Sequence, residues 1–142
     1  MNKQHFFPAS VLLLATALLV GCQKDDDKSK TELLTQSPWK PVSIQVDMGT
    51  GSYVNQPVED CAKDDAVKYN SDHTYKTTFG TNKCDPSETD ETGSWALSAD
   101  EKTLTVDGDD VTIETLDNNT LIVIESETFG GTTIRYRATL GH

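Results

Sequence analysis

From Ser37 onward, apolar and polar residues alternate in short runs, and clusters of turn residues separate the runs. Alternation with a period of two is typical of β-strands that bury one face, so each run predicts a strand. Eight strands with mostly short connections and no helix favour an all-β, eight-stranded antiparallel up-and-down barrel, in which no strand edge stays free. A two-sheet β-sandwich of the same strands is the alternative. The predicted strands are 39–46, 66–70, 74–79, 93–98, 103–106, 111–116, 120–127 and 132–140.

A tight turn before Thr74 sets the register of the second and third of these strands. If Asn70 pairs with Thr74, then Tyr69 faces Tyr75, and the large side chains of both strands share one side. A two-residue loop would split them between two faces, so we expect the longer loop. Its last residue, His73, then takes a positive φ, which histidine tolerates more readily than most residues.

The first strand carries Val42, Ile44 and Val46 on one face, whereas Trp39 has the opposite parity. Pro41 cannot donate a backbone hydrogen bond, and within a sheet proline is confined to edges and bulges. A bulge inserts one extra residue and turns the preceding side chains to the other face. The proline therefore indicates an irregularity that could bring Trp39 back to the face of its neighbours.

Five large side chains fall on the predicted inner face and are candidate ligand-facing residues: Tyr69, Tyr75, Phe79, Trp95 and Tyr136. An eight-stranded barrel either fills its centre with side chains or holds one small ligand, and the pattern leaves both possibilities open. Arg135 and Arg137 alternate with Tyr136, so we expect them to face solvent and to pair with acidic residues. Inverted parity would instead make them an anion-binding pair inside the barrel.

Residues 6–20 form an apolar run that is shorter than the ~20 residues a membrane-spanning helix needs. The run ends in Leu19-Val20-Gly21-Cys22, which resembles the lipobox of bacterial lipoproteins. The resemblance implies a signal peptide over residues 1–21, cleavage after Gly21, and a lipid on Cys22 that attaches the protein to a membrane. An uncleaved membrane anchor is the alternative.

The composition of residues 22–36 predicts a flexible acidic tether, because the segment 23–30 is entirely polar and its three consecutive aspartates repel one another. The sequence Gln23-Lys24-Asp25-Asp26-Asp27 also resembles a signal that displays lipoproteins on the outer face of the Gram-negative outer membrane. We therefore expect a lipid-anchored, surface-exposed protein of the outer membrane, with the periplasmic face as the alternative. The globular domain is then expected over residues 37–142.

The chain after the predicted cleavage site is strongly acidic. Because Lys3 belongs to the leader, 11 Lys and Arg residues remain against 23 Asp and Glu, and the net charge is −12. Such a surface repels a phosphate backbone, and no basic stripe with interleaved aromatic residues offsets it. The composition therefore excludes nucleic-acid binding.

Three cysteines are an odd number for an exported protein. Lipidation of Cys22 leaves Cys61 and Cys84, which the predicted hairpin brings to its opposite margins, one residue out of register. We expect a disulfide between them, since such a bond would persist in an oxidising compartment. Two free buried thiols are the alternative.

No catalytic or metal-binding pattern is recognisable in the sequence. His73 and His142 have no second His or Cys at the spacing of a zinc site. Residues 107–110 begin like a calcium loop but lack its later Glu, so a hairpin turn is expected there. Glu125 and Glu127 are expected to face solvent, and no Ser or Cys nucleophile motif is found. We predict a protein that is not an enzyme and has neither metal nor cofactor.

Four motifs occur in an order that matches a known family: Ser37-Pro38-Trp39, Cys61-Ala62-Lys63-Asp64-Asp65, the hairpin from Tyr69 to Tyr75, and Cys84 followed by Gly93-Ser94-Trp95-Ala96-Leu97. With these motifs, residues 37–142 resemble the lipocalin-like domains of small bacterial lipoproteins. The resemblance implies a small antiparallel barrel but specifies no ligand. His73 departs from the glycine usual in such hairpins, which affects only the strain of the turn.

Two functional hypotheses follow from these observations. The first is a membrane-anchored module whose lipocalin-like domain binds a small apolar or amphipathic molecule. The second is a non-enzymatic cell-surface interaction protein whose loops 47–65 and 80–92 contact a protein or glycan partner, because these loops are long for so small a domain.

Overall fold

A computed structural model describes residues 28–142, which form one antiparallel sheet of nine strands in the order β2-β1-β9-β8-β7-β6-β5-β4-β3. The all-β, up-and-down prediction is confirmed, and the sandwich alternative is wrong because all nine strands belong to a single sheet. The elements are α1 (Lys30–Thr35), β1 (Lys40–Asp47), β2 (Val54–Gln56), a 3-10 turn (Asp60–Ala62), β3 (Ala66–Tyr69), β4 (Thr74–Thr78), β5 (Glu91–Leu97), β6 (Thr103–Val106), β7 (Asp109–Leu116), β8 (Thr120–Phe129) and β9 (Thr132–Gly141).

The two edges of the sheet meet at one point, between Trp39 and Val67. Each residue donates its backbone N–H to the carbonyl of the other, at 2.8 and 2.9 Å. Farther along, β1 pairs with β2 instead of β3, from Ile44 to Val46. The barrel is therefore not closed along its length, which corrects the prediction of a closed barrel.

The ninth strand, β2, lies inside the segment that was predicted to be the loop 47–65. It has only three residues, all of them exposed. Because none of its side chains is buried, it shows no alternation of apolar and polar residues that a sequence pattern could reveal. The prediction of eight strands is wrong for this reason alone.

The hairpin of β3 and β4 has the predicted register, with Tyr69 opposite Tyr75. In the turn, the N–H of Asn70 donates to the carbonyl of Thr74 at 2.8 Å, and His73 has a φ of 65°. The three-residue loop and the positive φ at its last residue are confirmed.

The irregularity predicted at Pro41 is a β-bulge. Pro41 pairs with Leu140 but Ser43 pairs with Thr139, so one extra residue lies between them in β1. Trp39 consequently lies in the core with no exposed surface. Val42 is the extra residue and is 62% exposed, so the expectation that it shares the inner face with Ile44 and Val46 is wrong.

The predicted tether does not extend to residue 36, because its last part forms the helix α1. Ser29 begins the helix with a capping box, in which its hydroxyl accepts the N–H of Glu32 and the Glu32 carboxylate accepts the N–H of Ser29. Leu34 is fully buried, and its carbonyl accepts the indole N–H of Trp39 at 2.9 Å. The Ser-x-x-Glu spacing before two leucines was a readable helix signal, and it was missed.

Helix α1 covers one end of the sheet, which we call the α1 end. Gln36 and Lys28 bind the carbonyl and the side-chain oxygen of Asn118, in the turn between β7 and β8. Because neighbouring strands are antiparallel, the turns 70–73 and 98–102 lie at this end too. The buried apolar side chains of the described core all lie at this end, in α1 or in the adjoining halves of the strands. They are Leu34, Trp39, Tyr69, Trp95, Leu104, Leu116 and Leu121.

The opposite end of the sheet, which we call the rim, is formed by the segments 48–53, 57–65, 79–90, 107–108 and 130–131. The predicted signal peptide, Cys22 and the first part of the predicted tether lie outside the described residues. Among residues 28–142, no helix has the length and apolar character that crossing a membrane would require.

Replacement of Leu34 by Ala should lower the free energy of unfolding by about 2–5 kcal/mol, because it leaves a cavity beneath α1. Val42→Ala is the matched control, since Val42 is exposed, and its effect should stay within about 0.5 kcal/mol. Denaturant unfolding followed by tryptophan fluorescence measures both. Equal stabilities of the two variants would show that α1 does not contribute to the core.

Candidate functional site

Four of the five residues predicted to face a ligand lie on the inner face of the sheet, and Phe79 follows the end of β4; the five differ in burial. Trp95 and Tyr69 are 3% and 7% exposed and belong to the core. Tyr75 and Phe79 are half-buried on β4 and just after it. Tyr136 is 37% exposed, toward the rim of β9. The inner face is therefore packed at the α1 end and accessible toward the rim.

Three of these residues form one aromatic cluster. The ring of Tyr69 lies 6.2 Å from that of Tyr75 and 5.8 Å from that of Trp95, the latter in an edge-to-face arrangement. The indole N–H of Trp95 donates to the carbonyl of Asn70 at 3.0 Å, and the His73 ring lies 5.0 Å away. The register of the β3–β4 hairpin therefore positions the cluster.

Asp107, in the β6–β7 turn, holds one member of this cluster. Its carboxylate accepts the hydroxyl of Tyr75 at 2.6 Å and the backbone N–H of Ser94 at 2.7 Å. The hydrogen bond to Asp107, together with burial, raises the pKa of Tyr75 to about 12. The same hydroxyl, followed by the Ser94 N–H, lowers the pKa of Asp107. A side chain at Gly93 would not fit, because its Cβ would lie 2.3 Å from the Asp107 oxygens.

Sequence analysis identified the hairpin turn at residues 107–110 correctly but not this contact. Asp107 has a φ of 51°, as its place in a tight turn requires. Its partner Tyr75 is 32 positions away in the chain. No local pattern links the two residues, and only the packing of β4 beside β5 brings them together.

Toward the rim, the inner face becomes acidic. Glu125 pairs with Tyr136 and Glu127 with Ile134, and both glutamates continue the face of Leu121 and Val123 on β8. Both are exposed, as predicted. The alternation along β8 already indicated that they share the inner face, and sequence analysis did not use it.

The two arginines of β9 face outward and are paired with acids, as predicted. Arg135 Nη1 lies 3.3 Å from Asp47 Oδ2, and Arg137 Nε donates to Glu114 at 2.6 Å. Arg137 also donates to Gln45 at 2.7 Å. The alternative of an anion-binding pair inside the barrel is wrong, because their parity in β9 is opposite to that of Tyr136.

A disulfide joins Cys61 and Cys84, with their Cα atoms 5.0 Å apart, which confirms the predicted pair and refutes the free-thiol alternative. It links the segments 57–65 and 79–90 of the rim. Glu59 lies close enough to both sulfurs to suggest a metal site in the described chain. Sulfurs bonded to each other offer no thiolate, however, so the group does not bind metal in this state.

The two aspartates of the Cys-x-x-Asp-Asp motif tie the same two segments together. Asp65 accepts the N–H of Gly80 at 2.9 Å, and Asp64 accepts the N–H of Thr81 at 2.9 Å. The pKa of Asp64 is lowered, chiefly by the backbone N–H of Asn82. The Cβ of any residue replacing Gly80 would lie 2.0 Å from Asp64. The motif is thus structural and shapes the rim.

Replacement of Asp107 by Asn should lower the free energy of unfolding at neutral pH. The variant should also lose less of that free energy in acid than the unaltered chain does. Because the folded pKa of Asp107 is lowered, the stabilisation is present above the unfolded value of about 3.9 and is lost as the pH falls through the folded value. Urea midpoints between about pH 2 and pH 7 measure this. Asp109→Asn is the control, since within residues 28–142 its side chain makes no hydrogen bond; equal acid dependence in both variants would contradict the role of Asp107.

The chain is similar to several solved structures. Several structures of bovine odorant-binding protein are similar over 84% of this chain and 76% of theirs. They include complexes with a selenium-containing odorant and with undecanal, each at 13% identity and a TM-score of 0.45. The complex with its natural ligand has 14% identity and a TM-score of 0.46. No curated protein matches significantly.

A family model for the lipocalin-like domain matches residues 38–123, which is more than half of the chain. The match includes the motifs at Trp39, Cys61, Cys84 and Trp95 from which the family was predicted. The chain therefore belongs to the lipocalin-like domain family.

Proposed function

We propose that the protein is a lipid-anchored carrier whose lipocalin-like domain binds a small apolar or amphipathic molecule on the inner face of its sheet. The observation that supports this most directly is the accessible inner face toward the rim, where Tyr136 is 37% exposed. Small barrels of this class either fill their interior or hold one small ligand there. In the described residues, the buried apolar side chains lie at the α1 end.

The side chains between the core and the rim have the chemistry that such a ligand needs. Val106, Val111 and Val123 are partly buried and pack against the core on the inner face. Tyr75 also packs against the core on this face, and Glu125 and Tyr136 lie nearer the rim. A mostly apolar lining with a few polar groups is typical of small-molecule sites.

Residues 22–142 should bind the apolar fluorescent probe N-phenyl-1-naphthylamine saturably, with an increase in its fluorescence. Tyr136→Ser should weaken binding roughly three- to tenfold, because it removes apolar contact area from the accessible inner face. Val42→Ser, on an exposed residue outside that face, should leave the affinity unchanged. Absence of saturable binding to the unaltered chain would refute the carrier proposal.

The proposed anchor would also orient the domain. The six residue-to-residue steps from Cys22 to Lys28 can span at most about 20 Å, whereas the ten residues of β8 extend about 30 Å toward the rim. A lipid on Cys22 would therefore keep the α1 end near the membrane. The rim segments 57–65 and 79–90 contain seven Asp and Glu and two Lys, so anionic headgroups would repel them.

Cells that express the Cys22→Ala variant should not incorporate an alkyne analogue of palmitate into the protein, whereas the unaltered chain should. Labelling of the variant at the unaltered level would refute lipidation at Cys22. Brief treatment of intact cells with an external protease should remove the domain if it is displayed outside. Complete protection, with cleavage only after the outer membrane is opened, would place it on the periplasmic side.

The second candidate is a surface interaction protein that uses the loops 47–65 and 80–92. Two observations favour it: the Cys61–Cys84 bond joins these loops, and Met48 is 62% exposed at the rim. The probe titration separates the candidates, since an interaction protein with a filled interior would bind no probe.

A further inference from the structure

We infer that the hydroxyl of Tyr69 is the polar contact for the head group of the bound molecule, and that this head group is an uncharged hydroxyl or carbonyl. The inference rests on the proposed carrier function and specifies the ligand class and the residue that selects it.

Trp39, Trp95 and Tyr69 are the aromatic residues of the core, and each is more than nine-tenths buried. The indole N–H of Trp39 donates to the carbonyl of Leu34, and that of Trp95 donates to the carbonyl of Asn70. The neighbouring Tyr75 donates its hydroxyl to Asp107. A buried polar group normally has such a partner, because leaving it without one costs free energy.

Tyr69 is the exception within residues 28–142, since its hydroxyl makes no side-chain hydrogen bond there. Its ring is packed between Tyr75 and Trp95, and the residue is only 7% exposed. No side-chain nitrogen or oxygen in the described chain is both fully enclosed and without a partner. The hydroxyl oxygen of Tyr69 therefore keeps some exposed surface. It is a free donor and acceptor at the end of an otherwise buried side chain.

The Tyr69 hydroxyl brings no charge of its own to the site. Burial raises the pKa of Tyr69 to about 12, with a further contribution from Tyr75. The group is consequently a neutral hydroxyl at physiological pH, able to donate to a carbonyl or to exchange hydrogen bonds with an alcohol.

The surrounding charges disfavour a carboxylate ligand. The arginines of β9 face outward and are paired with Asp47 and Glu114. On the inner face of β8, the ionisable residues toward the rim are Glu125 and Glu127. An anionic head group would therefore lose hydration without finding a lysine or arginine on the inner face of the described strands.

The test compares four molecules of similar size on residues 22–142: N-phenyl-1-naphthylamine as the reporter, and 1-decanol, decanoate and decylamine as competitors. Tyr69→Phe removes only the hydroxyl. It should weaken the binding of 1-decanol about two- to tenfold, as expected for the loss of one neutral hydrogen bond. The affinity for the reporter should change less than about twofold. Tyr53→Phe is the matched control, because the Tyr53 ring lies against the outward-facing Arg137, and it should not discriminate among the competitors.

Unfolding of the Tyr69→Phe and Tyr75→Phe variants checks that the hydroxyl of Tyr69 has no partner within the protein. Tyr69→Phe should leave the urea midpoint unchanged or raise it slightly, because it removes a polar group that has no protein partner. Tyr75→Phe should lower the midpoint, since it abolishes the bond to Asp107. A lower midpoint for Tyr69→Phe would indicate a structural hydrogen bond and overturn the inference.

The binding outcomes distinguish this inference from the proposed function. If the unaltered chain binds no reporter, both fail. If the reporter binds but Tyr69→Phe leaves 1-decanol unaffected, the carrier proposal stands and the role of Tyr69 is refuted. A larger loss for decanoate or decylamine than for 1-decanol would refute the uncharged head group.

Discussion

The contact between Trp39 and Val67 joins the first and last parts of the sheet, and the asymmetry of the molecule depends on it. Two backbone hydrogen bonds bring β1 and β3 together at this point, and the indole N–H of Trp39 continues the connection to Leu34 of α1. Helix, sheet edge and core thus meet in one residue. Because β1 then pairs with β2 instead of β3, the same edge is open toward the rim.

As a result, the buried core and the accessible part of the inner face lie at opposite ends of the sheet. The α1 end holds the fully buried apolar side chains, which supply most of the hydrophobic stabilisation of a small domain. The rim end relies on polar connections instead, including the Cys61–Cys84 bond and the Asp64, Asp65 and Asp107 carboxylates that accept backbone N–H groups. A site at the rim end can therefore stay accessible without loss of the core, which is the requirement for a carrier.

The acidity of the chain has two explanations that composition alone could not separate. Some carboxylates are structural, such as Asp47, which is 2% exposed and accepts the N–H groups of Thr50 and Gly51. Others, such as Glu125 and Glu127, are exposed on the inner face near the rim. The first group holds turns in place, and the second sets the electrostatic environment that a ligand would enter.

Local patterns determined much of this protein: the period-two runs specified eight of the nine strands, the turn at His73 specified the register of Tyr69 and Tyr75, and the cysteine count specified the disulfide. These features depend on residues close in the chain or on simple parity. Only the tertiary structure decided the open sheet edge, the three exposed residues of β2 and the bond between Tyr75 and Asp107. Such features arise from the packing of distant segments, which leaves no periodic trace in the sequence. The Tyr69 hydroxyl, which has no hydrogen-bond partner within residues 28–142, belongs with them, because only the packing of distant segments decides which groups it can reach.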